Sequence, residues 1–529
     1  MLKRIAATAT IAALTALPAM AETPKDTFVM AWNLDALITM DPAQIGEVNG
    51  NEIMTNVCDR LVAFDFDDVS KIVPRLAESW SMSEDGLSLT FKIRKGLKHP
   101  TGNPVTAGDA AWSMQRVLAL NFGDAATLRE WGFTKELSAQ QFTAPDDNTL
   151  LVKLDKPYPP QLILSSLFVT RSAFILDRQE IEKHVVNNDL GNAWLKTNSA
   201  CVGPYRLRTW NANDVVILER NEDWWDKKPA MRRIIVRHVP ESGAERLQLE
   251  KGDIDAARLL NAQDLEAVDN SSNLRLQLTA THGYTYLSFN LTDPILSNPK
   301  VRLAFRYLVD YKGLESTVMK YQGIARASVV PIGAFGALSK EEGLPFKLDI
   351  DKAKQILAEA GYPQGFKKKL ILSANNFNPA LAQHIQGNAA KAGITLELEQ
   401  MADAQLFTRT RSRDYEISQI GWQTGYPDAN SMISRHGINP DNSAEAKLAM
   451  YPSWRAAFQD LSINADTDKA MFEKDPAKRI AIYHSIQMRL METGPMAYMF
   501  QPIRPIALRK EVKVFKENAF RVGYETIDK

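Results

Sequence analysis

Between residues 286 and 398 the chain switches repeatedly between a hydrophobic period of two and one of about 3.6, and that alternation restricts its fold more than any other feature. Residues 286–291, YLSFNL, set Leu287, Phe289 and Leu291 on one face of a strand. Asn298 and Pro299 then supply a cap and a first-turn proline for a helix with Val301, Ala304, Phe305 and Leu308 along one side. Residues 351–360 repeat the helical spacing through Ala353, Ile356 and Leu357, and Gly361 stops them. Two further strands, at 370–372 and 394–398, flank a helix over 380–392. Strands alternating with helices bury their apolar faces as layers around a parallel or mixed sheet, so the expected fold class is α/β.

A chain of 529 residues outgrows a single core, and two or three domains are expected. Its first residues set the compartment. Lys3 and Arg4 form a basic start, residues 5–17 are apolar or small, and Ala19-Met20-Ala21 matches a signal-peptidase site, predicting cleavage after Ala21. The apolar run is shorter than the roughly 20 residues that span a bilayer, and no cysteine stands beside the site for lipid attachment. The expected product is therefore soluble, without membrane insertion, in the periplasm of a Gram-negative bacterium. Lys and Arg number 63, as do Asp and Glu, so charge gives no reason to expect nucleic acid or an anionic membrane as partner.

Asp85-Gly86 opens a turn, after which Leu87, Leu89, Phe91 and Ile93 alternate with Ser88, Thr90, Lys92 and Arg94 as in a half-buried strand. Thr106 and Asp109 form a capping box for a helix carrying Trp112, Met114, Val117 and Leu118. The whole string, PRLAESWSMSEDGLSLTFKIRKG from Pro74 followed by GNPVTAGD from Gly102, resembles the signature of the peptide/nickel/opine class of extracellular solute-binding proteins, family 5, the dipeptide-binding-protein-like receptors of ATP-driven importers. Cys201-Val202-Gly203-Pro204-Tyr205 stands at that family's Gly-x-Gly-Pro-Tyr segment, and Asn221-Glu222-Asp223-Trp224-Trp225 follows. Trp224 and Trp225 are read as buried packing.

The resemblance implies a two-lobed periplasmic-binding-protein fold of type II, the large peptide-binding class, with an extra subdomain in the first lobe and a two-strand hinge. Lobe I is expected at 22–60, 190–280 and 497–529, its extra subdomain at 61–189 and lobe II at 281–496. The crossings are expected near 284–290 and 494–501, and the motion is hinge closure, of which periplasmic binding proteins are a standard example. Cys58 and Cys201 would share a lobe, which implies a disulfide in an oxidising compartment; two buried free thiols are the alternative.

A receptor releases its ligand unchanged, so it needs no catalytic group. The seven histidines are scattered, with no HExxH, nucleophile elbow, phosphate loop or dinucleotide fingerprint, and neither a metal nor a cofactor is expected. Peptide-binding relatives capture an ammonium group with an aspartate in a Gly-Trp…Gly-Asp…Pro-Asp segment. Here residues 421–430 read GWQTGYPDAN, leaving Asp428 as the only carboxylate, either a ligand contact or a cap after Pro427. Asn375 stands where dipeptide receptors keep an arginine for the ligand carboxylate, and an amide cannot replace a guanidinium clamp. Arg435 and Arg326 are the candidate replacements. Trp422, Gln423, Tyr426, Asn375, Phe377, Trp32 and Asn33 would line a site for a polyhydroxylated solute. The expected ligand is a small polar solute: a sugar, a sugar–amino acid or opine-like conjugate, or a peptide-like compound, handed by a monomeric receptor to an inner-membrane permease. Di- or oligopeptides are the alternative, and a nickel or haem chelate a weaker third.

Overall fold

The computed structural model describes residues 23–374 and 378–529; the expected signal segment lies outside them. Local signals are realised closely. Strand Ser88–Ile93 buries Leu89, Phe91 and Ile93, and the Thr106–Asp109 capping box opens helix Ala107–Leu120. Asn298 caps helix Pro299–Tyr307, its side chain accepting from the Lys300 amide. Helix Ile350–Glu359 buries Ala353, Ile356 and Leu357.

These elements assemble on a twelve-stranded mixed sheet, which the 14-residue strand Met496–Arg509 runs through. On one side lie Thr27–Trp32, parallel to Arg233–His238, with Val215–Arg220 and Tyr205–Asn211 antiparallel beyond it. On the other, Lys367–Ser373 runs parallel to both Thr395–Met401 and Ile417–Gln423, and Gly283–Phe289 pairs antiparallel with Ile417–Gln423. A separate four-stranded antiparallel sheet, Ala77–Met82, Ser88–Ile93, Thr149–Lys153 and Phe142–Asp146, packs on helix Ala107–Leu120 around Phe91, Met114 and Trp131.

Met496–Arg509 joins the halves because its partner changes along its length. Residues up to Phe500 pair with Gly283–Phe289, and those from Ile503 onward pair with Leu274–Ala280. The change falls at Gln501–Pro502 on one chain segment and Thr281–His282 on the other, where the Gln501 side-chain amide donates to the Thr281 carbonyl (3.0 Å) and the Thr281 backbone amide to the Pro502 carbonyl (2.9 Å). The first crossing thus precedes the expected 284–290. Gly283–Phe289 is buried at every position, because both of its faces are packed inside the second half.

Cys58 and Cys201 are joined in a disulfide closing 143 residues. Trp224 and Trp225 pack around Arg75, whose guanidinium lies 5.3 and 5.1 Å from their rings. No helix among the described residues is long and apolar enough to cross a membrane.

Candidate functional site

A cavity of about 440 Å³ lies between the two halves. One wall begins at helix Val48–Val57, where Val48, Asn51, Glu52 and Thr55 recur at helical spacing and so share the face turned to the cavity. Val169 to Ser172 adds a loop, and the turn between strands Val514–Glu517 and Val522–Asp528 adds Phe520 and Arg521. Asn518 shapes that turn by accepting from the amides of Phe520 (3.0 Å) and Arg521 (2.9 Å). The opposite wall is the C-terminal end of strand Ile417–Gln423 and the loop after it, which present Trp422, Gln423 and Tyr426.

Three sequence candidates, Trp422, Gln423 and Tyr426, therefore meet in one place, together with Arg435 from the last turn of helix Ala429–His436. Arg435 reaches across to the Glu130 carboxylate at the end of helix Ala125–Glu130, tying one half to the other. Beside this tie, the Trp131 and Tyr426 rings meet at 6.5 Å, and Tyr158 stacks on Phe472 at 5.5 Å. The halves are closed on this edge.

Asp428 is not a lining residue. It is 4 % exposed, receives two hydrogen bonds from Arg479 (2.7 and 2.8 Å), and accepts from the Asn430 amide at the start of its helix (2.9 Å). The carboxylate is engaged in fixing the loop that presents Tyr426, the cap role that the sequence left as its alternative, and it does not face the cavity. Trp32 lies one layer behind the wall beneath Arg258 (5.2 Å), which in turn holds Glu52. Asn33 is spent on the turn at Asp35, whose amide donates to its side chain (2.8 Å). Neither lines the cavity. Arg326, too, is structural, donating to the carbonyls of Val330, Leu338 and Ser339. Asn375 and Phe377 lie outside the described residues.

The expected lining of amides and rings is only part of what is present. Arg60, Arg171, Arg435, Arg504 and Arg521 line the cavity along with Glu47, Glu52, Asp124 and Glu130. Most of these charges are paired within the protein. Arg171 Nε bonds both oxygens of Asp124 (2.8 and 2.7 Å), Arg504 lies 3.3 Å from Glu517, and Arg521 bonds Glu525 (2.7 Å). Burial raises the pKa of both Asp124 and Glu130, with Arg171 and Arg435 pulling the other way. Arg60 stands apart: its guanidinium donates to the Val169 carbonyl and lies on the face of Phe174 at 4.7 Å, and among the described residues it is bonded to no carboxylate. Sequence reasoning passed over it because it precedes the apolar run Leu61-Val62-Ala63-Phe64, all buried; a charge at the head of such a run was the available signal.

Chemically the arrangement suits binding. It offers cations, carboxylates, hydroxyls and the rings of Trp131, Trp422, Tyr426 and Phe520 to a small polar molecule, and among the described residues no histidine or cysteine lines it. Among the described residues no cluster of three histidine, cysteine or acidic side chains is placed to hold a metal ion.

Residues 71–443 match the sequence model of the bacterial extracellular solute-binding proteins, family 5 Middle. The chain is 26% identical over 506 residues to the probable D,D-dipeptide-binding periplasmic protein DdpA of Escherichia coli K12, covering 94% of this chain and 93% of the relative. Among solved structures, HbpA2 from Haemophilus parasuis superposes with a TM-score of 0.79 at 23% identity, over 95% of this chain and 99% of the other. The PBP AgaA from A. tumefacien R10, in complex with agropinic acid, gives 0.71 at 24% identity, over 95% and 98%.

Proposed function

The chain belongs to the bacterial extracellular solute-binding proteins of family 5, and on that premise we propose that it is the periplasmic receptor of an ABC importer. It captures a small polar solute by lobe closure and delivers it unchanged to an inner-membrane permease. The observation that carries this reading is the cavity itself, lined by residues of both halves and bordered by the Glu130–Arg435 ion pair that ties them together. The same reading cuts a signal peptide after Ala21, keeps the receptor monomeric and assigns it no catalytic step. It divides the chain into a lobe I that begins at 22–60 and resumes at 190–280, an inserted subdomain at 61–189, and a lobe II from 281 that runs on to the change of strand partner at Gln501–Pro502, after which the chain is back in lobe I.

For the ligand we favour a sugar–amino acid or opine-like conjugate. Indole and phenol rings beside Gln423, Thr170 and Ser172 suit a hydroxylated body, and a relative of this fold holds agropinic acid. A peptide is the second reading, favoured by the coexistence of arginines and carboxylates in one cavity and by the D,D-dipeptide relative. A nickel or haem chelate has less support, since among the described residues no histidine or cysteine faces the space.

Mass spectrometry of small molecules released by denaturing the purified protein, paired with small-angle scattering before and after ligand removal, tests the receptor reading. An intact small molecule and an expansion on its removal are expected. A converted product, or a scattering profile indifferent to ligand, would refute it.

A further inference from the structure

Arg60 is 6 % exposed and lines the cavity. One Nη donates to the Val169 carbonyl and one face of its guanidinium lies on Phe174. Among the described residues no acceptor is bonded to the rest of the fork. The neighbouring carboxylate is spoken for: Asp59 takes Nε and Nη2 of Arg75 at 3.1 and 2.8 Å. Glu525, the other nearby acid, is bonded to Arg521. Three guanidiniums, Arg60, Arg75 and Arg521, thus stand against the interior carboxylates Asp59 and Glu525, while Asp226, which reaches only Arg75, is 43% exposed. Burial and the two neighbouring arginines depress the Arg60 pKa to about 9, the direction expected of a cation short of a counter-ion.

A buried guanidinium without a carboxylate is costly unless something supplies the missing charge, and here the unfilled side is the cavity. Arg171 and Arg435, by contrast, already have their charges met within the protein by Asp124 and Glu130. We propose that Arg60 is the anion anchor of the site and that the transported solute is a carboxylate, its oxygens bonded to the open edge of that guanidinium with Arg521 adding field behind it. This rests on the receptor reading above and narrows its ligand to acids. A planar fork on an aromatic face is the geometry that binds a carboxylate with fixed orientation, which a lysine would not reproduce.

The test is isothermal titration of the full chain, stripped of ligand, with two matched pairs: lactobionate against lactose, and N-acetyl-Ala-Ala against its C-terminal amide. At least one acid is expected to bind, and to bind tighter than its neutral twin by roughly thirtyfold or more, the range for truncating one partner of a buried charge pair. Arg60→Gln, which keeps a donor for Val169, should erase that preference, and Arg60→Lys should retain part of it. A neutral twin binding as well as its acid, no binding by any of the four, or a preference unmoved in a folded Arg60→Gln protein would overturn the assignment. If Arg60→Gln does not fold, the wild-type comparison alone decides. A neutral molecule released intact by denaturation would sink the acid assignment while leaving the receptor reading in place.

Discussion

Asp428 is the residue on which the ligand-contact and structural interpretations differ most sharply in consequence. Its carboxylate and the Arg479 guanidinium are each 6% exposed and share two hydrogen bonds, so Asp428→Ala strands a buried cation that keeps, among the described residues, hydrogen bonds to the Ala470 carbonyl (3.0 Å) and the Tyr483 hydroxyl (3.2 Å) alone. Breaking a buried pair from one side costs about 3–5 kcal/mol, and loss of the bond to the Asn430 amide removes a helix cap worth about 1 kcal/mol. The sum, about 4–6 kcal/mol, corresponds to a fall in Tm of roughly 8 °C or more for a lobe of some 200 residues. Asp428→Asn keeps a cap but not the charge and should lie close behind. Adding Arg479→Met to Asp428→Ala should recover most of the loss, because an apolar replacement of both partners leaves no stranded ion. Scanning calorimetry of the four proteins, with titration of whatever ligand is released from the wild type, separates the two roles. A folded Asp428→Ala protein within about 2 °C of wild type that has lost its ligand would refute the structural assignment.

Burial lifts the Glu245 pKa from 4.5 to about 8, although the amides of Leu259 and Arg258 donate to it. A carboxyl raised in the folded state contributes stability below its unfolded pKa that is lost as pH rises through the folded one, so the wild type should weaken from pH 5 to 8 relative to Glu245→Gln. Parallel melting curves across that range check it, and a constant gap would count against it. His282 runs the other way: buried against Phe520 at 4.8 Å, its pKa drops from 6.5 to about 4. Its contribution should be complete above pH 6.5 and lost as pH falls toward 4, visible as an imidazole that stays neutral by NMR at pH 5 and as an acid loss of Tm absent in His282→Phe. Removing the disulfide with Cys58→Ala and Cys201→Ala frees a 143-residue loop and should cost about 2–5 kcal/mol in urea unfolding. Equal midpoints for the oxidised wild type and the double variant would show the bridge to be inert.

Local chemistry was legible from residue order. Leu89, Phe91 and Ile93 alternate, Thr106 and Asp109 cap, and Ala353, Ile356 and Leu357 share a helix face because each pattern is satisfied within a few residues of itself. Trp422, Gln423, Tyr426 and Arg435 were reachable too, lying within one strand–loop–helix stretch that also carries the family likeness. What a charge does was not legible. Asp428 finds Arg479 51 residues later, and Glu130 finds Arg435 across 305. Arg60 is left for the cavity because Asp59, its neighbour in sequence, turns to Arg75. Periodicity and capping are short-range, so sequence dictates them directly. Which ions pair, and which one is left facing open space, depends on how distant segments pack, and only the tertiary structure decides that.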